Sequence, residues 1–277
     1  MTLPAGDVEN MNMARETARL FDRMRERRPL VHHITNYVTV NDCANIAICA
    51  GAAPVMADAT EEMDDMVAIA GALVLNIGTL NERLVSSMLQ AGKRANEMDI
   101  PVVLDPVGVG ATPYRTETAK MLLDKLEVSV LKGNAGEVAT LAGSEAKVVG
   151  VDSREVSGDL LTICEEYAVL SGCNVAMTGP QDFVSDGTRS YMVENGDDMM
   201  EMVSGTGCMA STLVGAMVSG KEDALAETAA ALAAFGLAGE HGARSAQGPM
   251  SFKTALFDGL QALKVTELAA GARVTRL

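Results

Sequence analysis

The 277-residue sequence has no tryptophan and only five phenylalanines, four tyrosines and three histidines. Apolar residues still make up 48% of the chain, enough for a sizeable core, which aliphatic side chains and 18 methionines must fill. Basic clusters are equally scarce. Only "RMRERRP" (23–29) concentrates arginine, and with a formal net charge of −15 and a pI near 4.6, nucleic-acid binding has no electrostatic footing. The acidity instead keeps a soluble protein dispersed. No apolar run approaches the ~20 residues of a membrane span, and the longest, "VAIAGALVLNIG" (67–78), is interrupted by Gly and Asn. The five cysteines (Cys43, Cys49, Cys164, Cys173, Cys208) form no CxxC pair and follow no signal peptide, which implies a reducing, cytoplasmic setting. Linkers, repeats and low-complexity tracts are absent too, so residues 1–277 read as one domain, with 1–13 a loosely ordered extension.

What is present is alternation. After a charged helix over 14–28, short apolar runs alternate with helical patterns. "ALVLNIG" (72–78), "PVVLD" (101–105), "VSVLKGN" (128–134) and "NVAMTG" (174–179) read as strands. Helices are expected over 59–71, with Met63, Met66, Val67 and Ala70 on one face, and over 81–98, 115–126, 135–141, 157–171, 207–219, 222–243 and 250–264. "DFVSDGTRSYMVENG" (182–196) reads as a hairpin turning at Asp186–Gly187. Such alternation predicts an α/β fold, three αβα layers around a mostly parallel sheet. Ligands of such sheets sit at the carboxyl ends of the strands.

Residues just after the strands therefore form the candidate site. They are Asn76 and Gly78; Asp105 in "LDPVG"; Lys132, Asn134 and Glu137 in "LKGNAGE"; Thr178 and Gly179; and "SGTGC" after the hairpin. Glycines, two carboxylates, a lysine and a threonine on one rim are equipment for holding a nucleotide and its metal. In Gly205, Thr206, Gly207 and Cys208, a glycine turn opens a small-residue helix, so backbone N–H groups and the helix dipole face an anion together. Asp105 and Glu137 can serve a hard cation such as Mg²⁺; the plainer alternatives are a helix cap before Pro106 and a first-turn carboxylate. His32 and His33 point to opposite sides of an extended segment and cannot easily share a metal. Cys43 and Cys49 read as inert thiols. Met56, between an apolar run and a loop, is a candidate substrate contact.

On "PLVHHITNYV", "GAAPVMA", "IAGALVLNIGTL", "PVVLDPVGVGATPYRT", "KGNAGE", "MTG", "VSGTGCMAST" and "GPMSF", the chain resembles the hydroxyethylthiazole kinases of the ribokinase-like superfamily from about residue 29 to 260. The resemblance implies transfer of phosphate from ATP, with Mg²⁺, to the alcohol of 4-methyl-5-(2-hydroxyethyl)thiazole in thiamine salvage. It places Met56 and Gly205 at the thiazole, Lys132, Thr178 and Asn134 at the nucleotide, and Asp105 and Glu137 near Mg²⁺. It also implies a homotrimer with sites between subunits, so that Asn36 and Val38 complete the substrate pocket across an interface. Lys132 stands where the family commonly has arginine, bringing charge without the planar fork. Cys208 takes the place of the aspartate base of related sugar kinases; the helix dipole is expected to lower its thiol and bound phosphates to oppose that, which leaves its charge open. Two other classes compete: an ATP-dependent dehydratase of hydrated nicotinamide cofactors, which would carry aspartate at position 208, and a non-catalytic nucleotide or thiazole binder.

Overall fold

A computed structural model describes residues 5–143 and 160–277. Its centre is a nine-stranded sheet in the order β2-β1-β3-β4-β5-β6-β7-β8-β9. The strands are β1 (Leu30–Ile34), β2 (Ala53–Val55), β3 (Ala72–Asn76), β4 (Val102–Asp105), β5 (Val130–Asn134), β6 (Asn174–Thr178), β7 (Asp182–Ser185), β8 (Ser190–Val193) and β9 (Val274–Arg276). Pairings from β2 through β6 are parallel; β6–β7, β7–β8 and β8–β9 are antiparallel. The expected hairpin is β7–β8.

The helices are α1 (Ala5–Arg27), α2 (Val40–Ala50), α3 (Met63–Ile69), α4 (Glu82–Glu97), α5 (Pro113–Lys125), α6 (Ala135–Leu141), α7 (Leu160–Ser171), α8 (Thr206–Val218), α9 (Ala224–Ser245), α10 (Pro249–Ala262) and α11 (Val265–Gly271). They cover both faces, as the alternation of buried side chains along each strand requires. Val31, Val74, Val103, Val130 and Ala176 pack into one core with α1, α2 and α8–α11. Leu73, Leu75, Leu104, Leu131 and Val175 pack into the other with α3–α7. The architecture is the expected three-layer αβα arrangement, and no described helix is long and apolar enough to cross a membrane.

Two expectations need correction. Helix α1 begins at Ala5, so residues 5–13 belong to it and are not a loose extension; Met13 packs against the core there and Ala14 is buried in it. Ala70 lies past the end of α3 in extended backbone, leaving Met63 and Val67 as the buried face. The start proposed for the helix over 157–171 lies outside the described residues; its described part is α7.

Helix α8 fixes the site. From Cys208 to Val218 every residue is buried, because α8 lies between the sheet and α9. Gly215 permits that approach: a β-carbon there would stand 2.5 Å from Val74 Cγ2 and 3.3 Å from Val31 Cγ1. The strand order also sets a position. The chain leaves β1 for β2 on one side and then crosses to β3 on the other, so the carboxyl ends of β1 and β3 flank a topological switch point, where α/β sheets open a ligand crevice.

Candidate active site

The carboxyl ends of β1, β3 and β4 are joined by a hydrogen-bonded chain of buried side chains. After β1, Asn36 accepts through Oδ1 from the Thr39 N–H and hydroxyl, each at 3.0 Å. Its Nδ2 donates to Asn76 Oδ1 (2.9 Å), at the end of β3. Asn76 Nδ2 donates in turn to Asp105 Oδ2 (2.8 Å), its register partner at the end of β4. Ser211, one turn into α8, donates to the same oxygen at 2.7 Å. Cys208 Sγ lies within this chain, 3.4 Å from Asn36 Nδ2 and 3.2 Å from Asn76 Nδ2. The sulfur is an acceptor for two carboxamides.

The mouth of α8 stands over the chain. Gly205 is its N-cap at φ +94°, left-handed backbone that favours glycine, and a β-carbon would meet Thr39 Cγ2 at 2.5 Å. Thr206 turns its hydroxyl away, onto the Met200 carbonyl at 2.9 Å. The N–H groups of Thr206, Gly207 and Cys208 have no partner among the described residues, so this helix start has donors to spare. Buried Lys132 reaches this mouth from β5, its Nζ 3.1 Å from the Gly207 carbonyl.

Glu137 opens α6 by capping. Its Oε2 accepts from Asn134 N (2.8 Å) while Asn134 Oδ1 accepts from Glu137 N (2.9 Å). Its Oε1 accepts from Gly108 N (2.8 Å) in the loop after Asp105. The plain first-turn reading is therefore correct as far as it goes. Burial, with Asp105 beside it, pushes the Glu137 carboxyl up to about 7. Thr178, half-buried at the end of β6, donates to the Gly133 carbonyl (3.2 Å).

A family model described as the hydroxyethylthiazole kinase family matches residues 21–266. The chain belongs to that family. A hydroxyethylthiazole kinase from Methanocella arvoryzae is 59% identical over 261 residues, spanning 94% of this chain and 98% of that protein. The solved structure of a hydroxyethylthiazole kinase from Pyrococcus horikoshii superposes with a TM-score of 0.87 at 40% identity, covering 94% of this chain and 98% of that one. A ribokinase-like superfamily protein from Enterococcus faecalis shares the fold alone, with a TM-score of 0.58 at 13% identity over 84% of this chain and 86% of that one. As a member of the hydroxyethylthiazole kinase family, the protein is an enzyme of the kinase class.

Against this family frame, the structure gathers Asn36, Asp105, Gly205, Gly207, Cys208 and Lys132 around one crevice, with Asn134 and Glu137 adjoining through the Gly108 loop. Val38 stands apart, 65% exposed beside Tyr37, which is 76% exposed. Met56 is half-buried in the loop after β2. The expected lowering of the Cys208 thiol does not prevail: burial, and secondly the Asp105 carboxylate, push it upward. The helix dipole and the nearby Lys132 ammonium favour the thiolate, but burial outweighs them. Cys43 is likewise pushed up to about 11 by burial, whereas Cys49 is only half-buried. His32 and His33 are both buried and face opposite sides: His32 Nε2 lies 2.9 Å from the Ala57 carbonyl, and His33 Nε2 lies 3.2 Å from Thr212 Oγ1. Sequence reasoning missed Thr39 and Ser211. Ser211 carried a usable signal, standing three residues after Cys208 on a helix and so on nearly the same face.

Proposed function

We propose that the protein transfers a phosphoryl group from ATP, with Mg²⁺, to the primary alcohol of 4-methyl-5-(2-hydroxyethyl)thiazole, the salvage step that returns this thiazole to thiamine synthesis. The observation that carries this reading is the convergence of the free N–H groups of α8, the Lys132 ammonium and the Asp105 carboxylate on one crevice. Phosphoryl transfer asks mainly for positioning and for stabilisation of charge on the moving group.

In this reading Gly205, Thr206 and Gly207 offer main-chain donors to the moving phosphoryl group, and Lys132, Asn134 and Thr178 line the nucleotide end. Met56, Asn36, Val38 and Gly205 hold the thiazole. Among the described residues no group of three or more His, Cys, Asp or Glu forms a resident metal site. Two carboxylates suit Mg²⁺ that arrives with phosphates and keeps its own waters. Asp105 fits, because both of its donors fall on Oδ2 and Oδ1 is left for the cation or its water shell. Glu137 fits at longer range, its oxygens already holding two main-chain N–H groups. When bound, the cation would neutralise phosphate charge.

Burial keeps Cys208 as a thiol, so it holds the alcohol in place but cannot itself take the proton. In a loose transition state the alcohol keeps its proton until the O–P bond forms and then releases it to the phosphoryl oxygens or to water. Exposed Tyr37 and Val38, next to buried Asn36, support a homotrimer in which a neighbouring subunit covers this segment and completes the pocket. Free cysteines throughout the described residues agree with a cytoplasmic setting. One ribokinase-like domain carries all of these parts.

The test is transfer from ATP–Mg²⁺ to the thiazole alcohol by purified protein, with the product identified by mass. Saturable thiazole phosphate supports the reading. A folded protein that binds the thiazole but forms no product would overturn it in favour of a binding role.

A further inference from the structure

Arg115 lies in the first turn of α5, off the rim, yet its guanidinium reaches back across the rim's loops. Nη1 donates to the carbonyls of Val107 (2.7 Å) and Ile77 (2.9 Å), and Nη2 to that of Gly78 (2.8 Å). Val107 follows Asp105, and Ile77 and Gly78 follow Asn76. One side chain thus ties together the two loops whose stems carry the Asn76–Asp105 hydrogen bond.

The surroundings are shaped to admit it. Gly108 sits at φ +76°, and a β-carbon there would stand 3.2 Å from Arg115 Cδ and Nη1. Thr112 caps α5 by accepting from Arg115 N (3.3 Å), which fixes where the side chain starts. The three acceptors belong to two separate loops, and a planar fork reaches them from two nitrogens at once. A lysine has one nitrogen, so it cannot span the same pair of loops in the same way.

We propose that Arg115 is a positioning residue for phosphoryl transfer: by clamping the 77–78 and 107–108 segments, it sets the approach of Asn76 and Asp105 at the α8 mouth. The proposal rests on the kinase reading for its kinetic consequences, but not for its structural one. The clamp touches the acceptor and metal side only. Gly78 packs on Asn36, a β-carbon there lying 2.9 Å from Asn36 Cβ, and Thr79 Oγ1 accepts from Tyr37 N (3.3 Å). None of its three bonds reaches the nucleotide end at Lys132 and Thr178.

A split in the kinetic constants follows. Arg115→Ala is expected to lower kcat by about 10- to 100-fold, the scale of a misplacement near 1 Å, and to raise the KM for the thiazole alcohol, with the KM for ATP unchanged. Millimolar methylguanidinium, which supplies the missing fork, restores part of kcat in Arg115→Ala and none in Arg115→Lys. Hydrogen–deuterium exchange supplies a readout independent of turnover. In Arg115→Ala, segments 77–80 and 106–110 exchange faster, while 132–137 and 178–182 keep the parental rate. If the parent protein proves not to be this kinase, the exchange experiment alone decides the clamp. Unchanged exchange in either loop overturns the proposal, as does a fall in kcat that only tracks the folded fraction or is matched by an equal rise in the KM for ATP.

Discussion

The two ends of α8 handle buried carboxyl groups in opposite ways. At the N-terminal end, Asp105 Oδ2 takes two side-chain donors and Glu137 takes two main-chain donors. At the C-terminal end, Glu227 of α9 is fully buried and neither of its oxygens has a hydrogen-bond partner. The nearest cation, Arg27 Nη2, is 3.9 Å from Oε1. Buried charge is stable only where donors replace water. The N-terminal end therefore supplies its carboxyl groups with donors and the C-terminal end does not, although burial raises Glu137 and Glu227 alike to about 7.

The largest effect expected from breaking this contrast comes at Asp105. Replacing it by alanine removes the acceptor shared by Asn76 and Ser211, and with it the carboxylate nearest the α8 mouth. Loss of one preorganised charge-stabilising group costs about 10²- to 10³-fold in kcat. Steady-state turnover of thiazole alcohol checks this, and activity within threefold of the parent would show that the chain of side chains holds the fold and not the chemistry.

A finer test asks whether the chain behaves as one unit. Asn76 and Ser211 both donate to Asp105 Oδ2, so Asn76→Ala and Ser211→Ala are expected to couple by about 0.5–3 kcal/mol in a double-mutant cycle on kcat/KM. Lys132 and Thr178 instead bond separate main-chain carbonyls, those of Gly207 and Gly133. Their variants should add independently. Additivity in both cycles would erase the distinction between a wired acceptor side and a locally anchored nucleotide side.

Gly205→Ala is the next test. The residue must leave φ +94° or place a β-carbon 2.5 Å from Thr39 Cγ2, and Thr39 holds Asn36. A loss of about 2–4 kcal/mol is expected from the combined strain and overpacking. Denaturant unfolding measures it, and a variant of parental stability would mean that the α8 mouth can shift without harm.

These effects also show how far the sequence could be read. The strands were legible because a parallel sheet buries both faces and gives short continuous apolar runs, as in "ALVLN" and "PVVLD". Residues at their carboxyl ends followed from topology, which is why Asn76, Asp105 and Lys132 stood out before any geometry was known. Strands β2 and β9 each have three residues, too few for a period to show, and the small-residue helices α2 and α11 were not read as helices. The protonation of Cys208 escaped for another reason: a helix N-terminus is visible in a sequence, but the depth at which it is buried is not. Arg115 was visible only as the first residue of an expected helix, because its three acceptors are main-chain carbonyls in two other loops.

The smallest effect lies at the other end of α8. Burial pushes the Glu227 carboxyl from an ordinary 4.5 up to about 7, against the opposing pull of Arg27. The charged groups facing it are Arg27 on α1 and Glu222 and Asp223 before α9. A carboxyl with a higher pKa in the folded than in the unfolded chain binds its proton more tightly when folded. Stability is then greatest below about 4.5, falls as pH rises from 4.5 to about 7, and stays lower above that. Glu227→Gln keeps the shape and removes the ionisation. Relative to the parent it should gain about 1–2 kcal/mol at pH 8 and about a quarter of that at pH 5, less than the full linkage value because Arg27 then loses its partner. Urea unfolding of both proteins at the two pH values measures the difference. An equal effect at both would mean that Glu227 stays ionised throughout, and that the far end of α8 tolerates a buried charge without donors.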